Sequence, residues 1–140
     1  IGSMDGAYLS GLFCVIGHIA PIYYRFKGGK GVLAAATMIL LLDPYVFLCL
    51  ILLFAIILLI TRYVSMGSVI AAFFYPAITY ITHSYVTGAS PGLFKILFCF
   101  VCGLLVIYMH RENIKRVYHG KENKLSFGPK KKTDDDEDED

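Results

Sequence analysis

Charge is scarce in this chain and unevenly spread. Charged residues make up 17% of 140, against 56% hydrophobic. Acids are almost missing from the body. Seven of the 11 Asp and Glu residues fall in 134–140, which leaves Asp5, Asp43, Glu112 and Glu122. The formal charge of +2 therefore conceals a body at +9 followed by an acidic run. Such a run is solvated, so residues 123–140, with Lys130, Lys131 and Lys132, are expected to form a disordered tail behind a domain of residues 1–122. No basic stretch precedes the first apolar block within these residues, so a secretory signal peptide is not expected among them. Cys14, Cys49, Cys99 and Cys102 all lie within apolar blocks and are expected to be buried thiols. No second ligand pair accompanies Cys99 and Cys102, which speaks against a zinc site. His83 and His119 fall in loops without partners. A soluble enzyme is excluded by the blocks themselves, and no nucleic-acid partner is expected.

What is present is a series of five apolar segments: about Ala7–Ile22, Val32–Leu42, Tyr45–Ile60, about Val64–Ile81 and Leu93–Met109. A helix that spans a membrane needs roughly 20 residues. The third and fifth segments come close once their flanks are counted. The second, at 11 residues, rises only about 16 Å. It is either a re-entrant half-helix or the continuation of a loop that lies in a protein-walled recess, and the recess is the preferred reading. Asp43-Pro44 and Ser90-Pro91 are helix-start signals, and Pro76 predicts a kink inside the fourth segment.

If the segments cross in alternation, one side holds Arg25, Lys27, Lys30, Arg62 and all cations after residue 109. The other holds Asp5, Asp43 and the His83–Ser90 loop, without lysine or arginine. Lys95 lies near that second side. The positive-inside rule makes the first side cytoplasmic. Three polar clusters distant in sequence then share one face.

The first cluster is Gly28-Gly29-Lys30-Gly31, which breaks the apolar pattern just ahead of Val32. Glycines let backbone N–H groups approach an anion, and a following helix adds its dipole. No Ser or Thr follows Lys30 and the glycine spacing is wrong, so this is not a Walker A loop. The plainer alternative is a flexible cationic loop on the membrane surface. The second cluster is Arg62-Tyr63-Val64-Ser65. The third is His110-Arg111-Glu112-Asn113-Ile114-Lys115-Arg116, which follows the fifth segment without a breaker and predicts a continuing helix. There His110 and Asn113 share a face, and Glu112 pairs with Arg116 in a stiffening i,i+4 ion pair. Beside a glycine-lysine loop, the His110–Asn113 pair points to binding or acid–base work.

These clusters, together with Gly17-His18, Gly120 and Glu122, resemble the PlsY family of bacterial membrane acyl-phosphate:glycerol-3-phosphate acyltransferases. The resemblance runs from about Ala7 to Glu122. Two features depart from it. Leu33 and Ala34 stand where the family motif has Ala and Thr, and the family's first motif, upstream, has no counterpart here. The resemblance implies an all-α integral membrane protein of about five transmembrane or re-entrant helices, the last five of seven, truncated at its start.

It also implies the reaction. The 1-hydroxyl of glycerol 3-phosphate attacks a fatty acyl phosphate to give 1-acyl-glycerol 3-phosphate and phosphate, without cofactor or metal. The site would lie on the cytoplasmic face of a bacterial cell membrane, with the lipid bilayer as surroundings. The implied catalytic residues are His110, Asn113 and Lys30. Gly28, Gly29, Gly31, Ser65, Arg111, Arg116 and His18 would bind substrate, and Glu112 would be structural. The competing class is a non-enzymatic membrane scaffold or transporter subunit, which needs no convergence of these clusters.

Overall fold

The computed structural model describes residues 3–21 and 28–125. Arg25, Lys27 and the charged tail beyond residue 125 lie outside them. Six helices occur among the described residues: α1 (Ser3–Ile19), α2 (Val32–Leu42), α3 (Pro44–Thr61), α4 (Val64–Thr87), α5 (Leu93–Met109) and α6 (Arg111–Tyr118). The second and fifth segments match their helices end to end. α1 is shifted towards the N-terminus of the first segment. The fourth segment runs on to Thr87, where Gly88 closes it in the left-handed region at φ 68°. Pro91 does not sit at a helix start after Ser90, because the residue preceding α5 is Gly92.

α3 and α4 are each long and apolar enough to cross a membrane. α1 and α2 are shorter, and α5 with α6 would make a third span only as a pair bent by 55°. Leu41, Leu59, Ile60, Phe73 and Leu93 stand exposed, as side chains facing lipid do. α4 is the centre of the bundle and packs against both α3 and α5. Small residues set those distances. A Cβ on Gly67 would come within 2.8 Å of the Phe54 ring, and one on Gly103 within 2.6 Å of the Ala72 carbonyl oxygen. That carbonyl lies four residues before Pro76, which has no N–H to offer it. The proline within α4 and the close approach of α5 thus meet at one place. Close glycine contacts of this kind let membrane helices pack by dispersion where no hydrophobic drive separates helix from lipid.

The α2–α3 turn carries a half-buried ion pair, Asp43 with Lys95. Asp43 sits at the N-cap of α3 with Pro44 at N1, but its carboxylate does not cap the helix. It accepts instead from the Tyr8 hydroxyl of α1 and from Lys95 Nζ of α5. Lys95 also lies 5.4 Å from the centre of the Tyr8 ring. The sequence left both charges near an interface; the structure uses them to clip three elements together at the end of α2 remote from Gly31. Removing one partner of a half-buried pair costs stability because the other charge is left stranded. Asp43→Ala is therefore expected to lower the thermal midpoint more than the double substitution Asp43→Ala/Lys95→Met. Equal losses in thermal-shift measurements would show that the two groups are not coupled.

Candidate active site

At the other end of the bundle α1, α2, α4 and α6 surround a cavity of about 550 Å³. Its wall includes His18, Gly29, Lys30 and Gly31 on one side, and Ser65, Ser68, His110, Asn113 and Glu122 on the other. The three clusters separated in sequence do converge.

The glycine loop is shaped by its fit against α1. A Cβ on Gly28 would lie 2.2 Å from the His18 carbonyl oxygen, and one on Gly29 2.5 Å from His18 Nε2. Gly31 adopts φ 76°, where only glycine is unstrained, and caps α2. The loop thus turns directly into a helix whose first-turn N–H groups have no partner within the helix. Lys30, Gly31, Val32 and Leu33 all line the cavity, so the positive end of the α2 dipole faces it.

Two expectations change here. Gly28 packs on the end of α1 and is not part of the cavity wall. The Gly29 N–H donates to His18 O at 3.2 Å, so it is engaged in holding the loop. His18 gains a definite place, as the abutment of the loop and as part of the wall.

The opposite wall hangs on Glu122. α6 ends in a Schellman motif: Lys121 N–H donates to Arg116 O at 2.8 Å, Gly120 N–H to Val117 O at 3.0 Å, and Gly120 takes φ 66°. The chain therefore reverses and returns along α6. Leu125 N–H donates to Arg62 O at 2.8 Å, and Lys124 lies 5.7 Å from the centre of the Tyr63 ring, which fixes the returning segment to the α3–α4 turn. Glu122 Oε1 accepts from Ser65 Oγ at 2.8 Å and from Asn113 Nδ2 at 2.7 Å, and Oε2 accepts from Arg116 Nε at 2.8 Å. Desolvation pushes its carboxyl up, but the bonds from Asn113, Arg116 and Ser65 outweigh that and bring it down to about 2. A depressed carboxyl contributes stability that is present above the ordinary carboxylate range and is lost as pH falls through about 2. The knot between α4, α6 and the returning segment is therefore intact at any physiological pH.

This geometry revises several assignments. The expected Glu112–Arg116 pair does not form: Arg116 is held by Glu122, and Glu112 lies 3.5 Å from Lys115 on the exposed face. Arg116 acts on the wall from behind. Arg111 is outside the cavity, 4.5 Å from the Tyr108 ring centre and donating to Tyr108 O at 3.1 Å. Ser65 gives its single hydroxyl hydrogen to Glu122, so towards the cavity it can only accept. Asn113 is oriented by the same carboxylate. Glu122 was visible only as part of a motif without a role. The signal that could have found it is the Gly120-x-Glu122 spacing after a short basic helix.

His110 stands where α5 bends into α6. The helix does not continue through it. Its Nδ1–H donates to Val106 O at 2.7 Å. A carbonyl only accepts, so Nδ1 carries the proton and Nε2 of the neutral ring is the acceptor. Burial lowers the His110 pKa, the bond to Val106 opposes this, and the nearby Lys30 charge lowers it further. His110 is 3% exposed and Asn113 5%, so both are held rigidly at the cavity edge.

The cavity continues into an apolar groove between α2, α3, α4 and α5, with Val32 and Ser68 shared by both. One end is cationic and rich in N–H groups, one wall offers hydrogen-bond acceptors, and a third side is hydrocarbon.

Comparison with known proteins is consistent with this composition. The profile of the glycerol-3-phosphate acyltransferase family matches residues 3–120. A glycerol-3-phosphate acyltransferase of Finegoldia magna is 42% identical over 123 residues, covering 86% of this chain and 58% of the relative. One from Chlorobaculum tepidum is 38% identical over 138 residues, covering 87% and 59%. Crystal structures of PlsY (YgiH), described as an integral membrane glycerol 3-phosphate acyltransferase, are similar at a TM-score of 0.74 and 34% identity in glycerol 3-phosphate and lysophosphatidic acid forms. They are matched over 88% of this chain and 59–60% of theirs. The chain thus spans 58–60% of the length of these relatives. With a profile match across nearly all the described helices and this fold beneath it, the chain belongs to the glycerol-3-phosphate acyltransferase family.

Proposed function

We propose that the cavity is an acyl-transfer site in which the 1-hydroxyl of glycerol 3-phosphate attacks the carbonyl of a fatty acyl phosphate. The carbonyl carbon gains an ester bond, its bond to the phosphate oxygen breaks, and 1-acyl-glycerol 3-phosphate and phosphate leave. The carrying observation is the meeting of a lysine-glycine helix N-terminus with an acceptor wall at the mouth of an apolar groove. A scaffold or transporter subunit gains nothing from that meeting.

The roles follow from the hydrogen-bond inventory. Lys30 and the first turn of α2 neutralise phosphate. His110 Nε2 accepts the hydroxyl proton and returns it to the departing phosphate, with Asn113 and Ser65 aligning the glycerol. Glu122 and Arg116 hold that wall. The donor is already activated, so positioning and charge stabilisation supply most of the acceleration. The lysine and arginine distribution supports a bacterial plasma membrane with this cavity on its cytoplasmic face.

The test supplies full-length protein in lipid vesicles with labelled glycerol 3-phosphate and either hexadecanoyl phosphate or hexadecanoyl-coenzyme A. Labelled lysophosphatidate and one phosphate per ester are expected from the acyl phosphate alone. No ester, or equal ester from the thioester, would overturn the reading.

A further inference from the structure

Resting on that reading, we propose that the apolar groove grips only about the first eight carbons of the acyl chain, as an unbranched segment, and leaves the remainder to the bilayer. The reacting carbonyl joins a phosphate to a hydrocarbon, so it sits where the polar cavity meets the groove. Val32 and Ser68 line both and mark that level. Phe54 stands beside them on α3, since a Cβ on Gly67, the chain neighbour of Ser68, would meet its ring at 2.8 Å.

From that level three helices line the groove over the same length: Val32 to Ile39 on α2, Phe54 to Phe47 on α3 and Ser68 to Tyr75 on α4. Each stretch advances seven residues, about 10 Å of helix. Ala35, Ala36, Ala71, Ala72 and Gly103 keep its middle open. The far end is shut. Asp43, held by Tyr8 and Lys95, stands one turn past Ile39 and one turn before Phe47. One turn past Tyr75, Thr79 is fully buried and accepts from the Cys99 thiol, which is fully buried too. Val46 beside Phe47 is buried as well. Side chains packed in this way leave no passage for a chain. An extended chain with bonds of about 1.52 Å and angles of about 111° advances about 1.25 Å per carbon, so the groove takes about eight carbons. Ile51 lines the groove from α3 and is 41% exposed, so later carbons leave on that side among lipid tails. A chain end that stays in lipid gains nothing from the protein, so its form carries no selectivity. Within the groove an added methyl meets packed walls and costs binding, as overpacking does. The donors that fit are straight near the carboxyl end and free in form near the methyl end, terminally branched chains included.

The experiment compares hexadecanoyl, 6,6-dimethylhexadecanoyl and 12,12-dimethylhexadecanoyl phosphate at equal mole fraction in vesicles that hold the full-length protein. Methyl groups at carbon 6 are expected to lower kcat/KM by about tenfold or more, and those at carbon 12 by less than about twofold. Equal penalties at the two positions, or none at carbon 6, overturn the proposal. A variant gives a second check. Ala36 lies about 6 Å along α2 from Val32, level with about the fifth carbon. Ala36→Leu is expected to lower kcat/KM for hexadecanoyl phosphate by about tenfold while leaving butanoyl phosphate, which ends short of it, unchanged. Equal losses on both donors overturn the grip. If no donor yields ester, the acyl-transfer reading falls, and thermal shifts with the matching lysophosphatidates judge the groove alone. Stabilisation lost with methyl groups at carbon 6 and kept with them at carbon 12 upholds the grip; equal shifts overturn it.

Discussion

His110→Ala is expected to lower kcat by about a hundredfold to ten-thousandfold, the range for loss of a positioned proton acceptor, with the protein still inserted and folded. The expectation comes from one hydrogen bond. Nδ1–H is committed to Val106 O, which leaves Nε2 as the acceptor beside a cavity lined by Ser65 and Asn113. The fall should lie in kcat, because the proton moves only in the transition state. If His110 merely anchors phosphate, KM rises and kcat is kept, and the role assigned here is wrong. The pH profile gives a second check. Burial and Lys30 hold the His110 pKa below the ordinary 6.5, so the neutral acceptor persists to lower pH than a free histidine would allow. The acidic limb of kcat/KM should then fall below pH 6.5 and vanish in His110→Gln. A limb above that value would assign the titration to another group.

How much of this was legible in the residues depended on whether a feature is local. α2 and α5 could be bounded because glycine and Asp-Pro punctuate them, and those signals act through φ restrictions on the residues themselves. The convergence of the three clusters was legible too, since loop charge orders the crossings before any contact is known. The bend at His110 was not legible. No proline or glycine marks it; it accompanies a side-chain bond to Val106 and the docking of Asn113 on Glu122. The Glu112–Arg116 pair failed for a related reason. The i,i+4 rule assumes that a helix has only its own residues for company, whereas the Schellman reversal at Gly120 brings a stronger partner to Arg116. Gly29 and Ser65 look like donors to phosphate in a motif. Only geometry reveals that each has already spent its hydrogen, on His18 O and on Glu122.

Lys30→Ala is expected to lower kcat/KM for the phosphate-bearing substrates by about tenfold to 150-fold. This corresponds to about 1.5–3 kcal/mol for one charge-assisted hydrogen bond at 1.36 kcal/mol per decade. The effect is large because other cations near the cavity are otherwise engaged. Arg116 is held by Glu122, Arg111 lies on Tyr108, and Lys115 pairs with Glu112 outside. Among the described residues Lys30 is the lysine or arginine in the cavity wall, and it stands at the positive end of α2. Lys30→Arg should recover only part of the loss. A guanidinium is larger and planar, and the turn that presents it is fixed by Gly29 against His18 and by the left-handed Gly31. Raising ionic strength should weaken the wild type more than Lys30→Ala, since the attraction it provides is screened. Steady-state rates in vesicles, with both substrates varied at two salt concentrations, measure all three effects. If Lys30→Ala, correctly inserted, matches the wild type at low salt, the loop is a surface anchor and the phosphate site lies elsewhere.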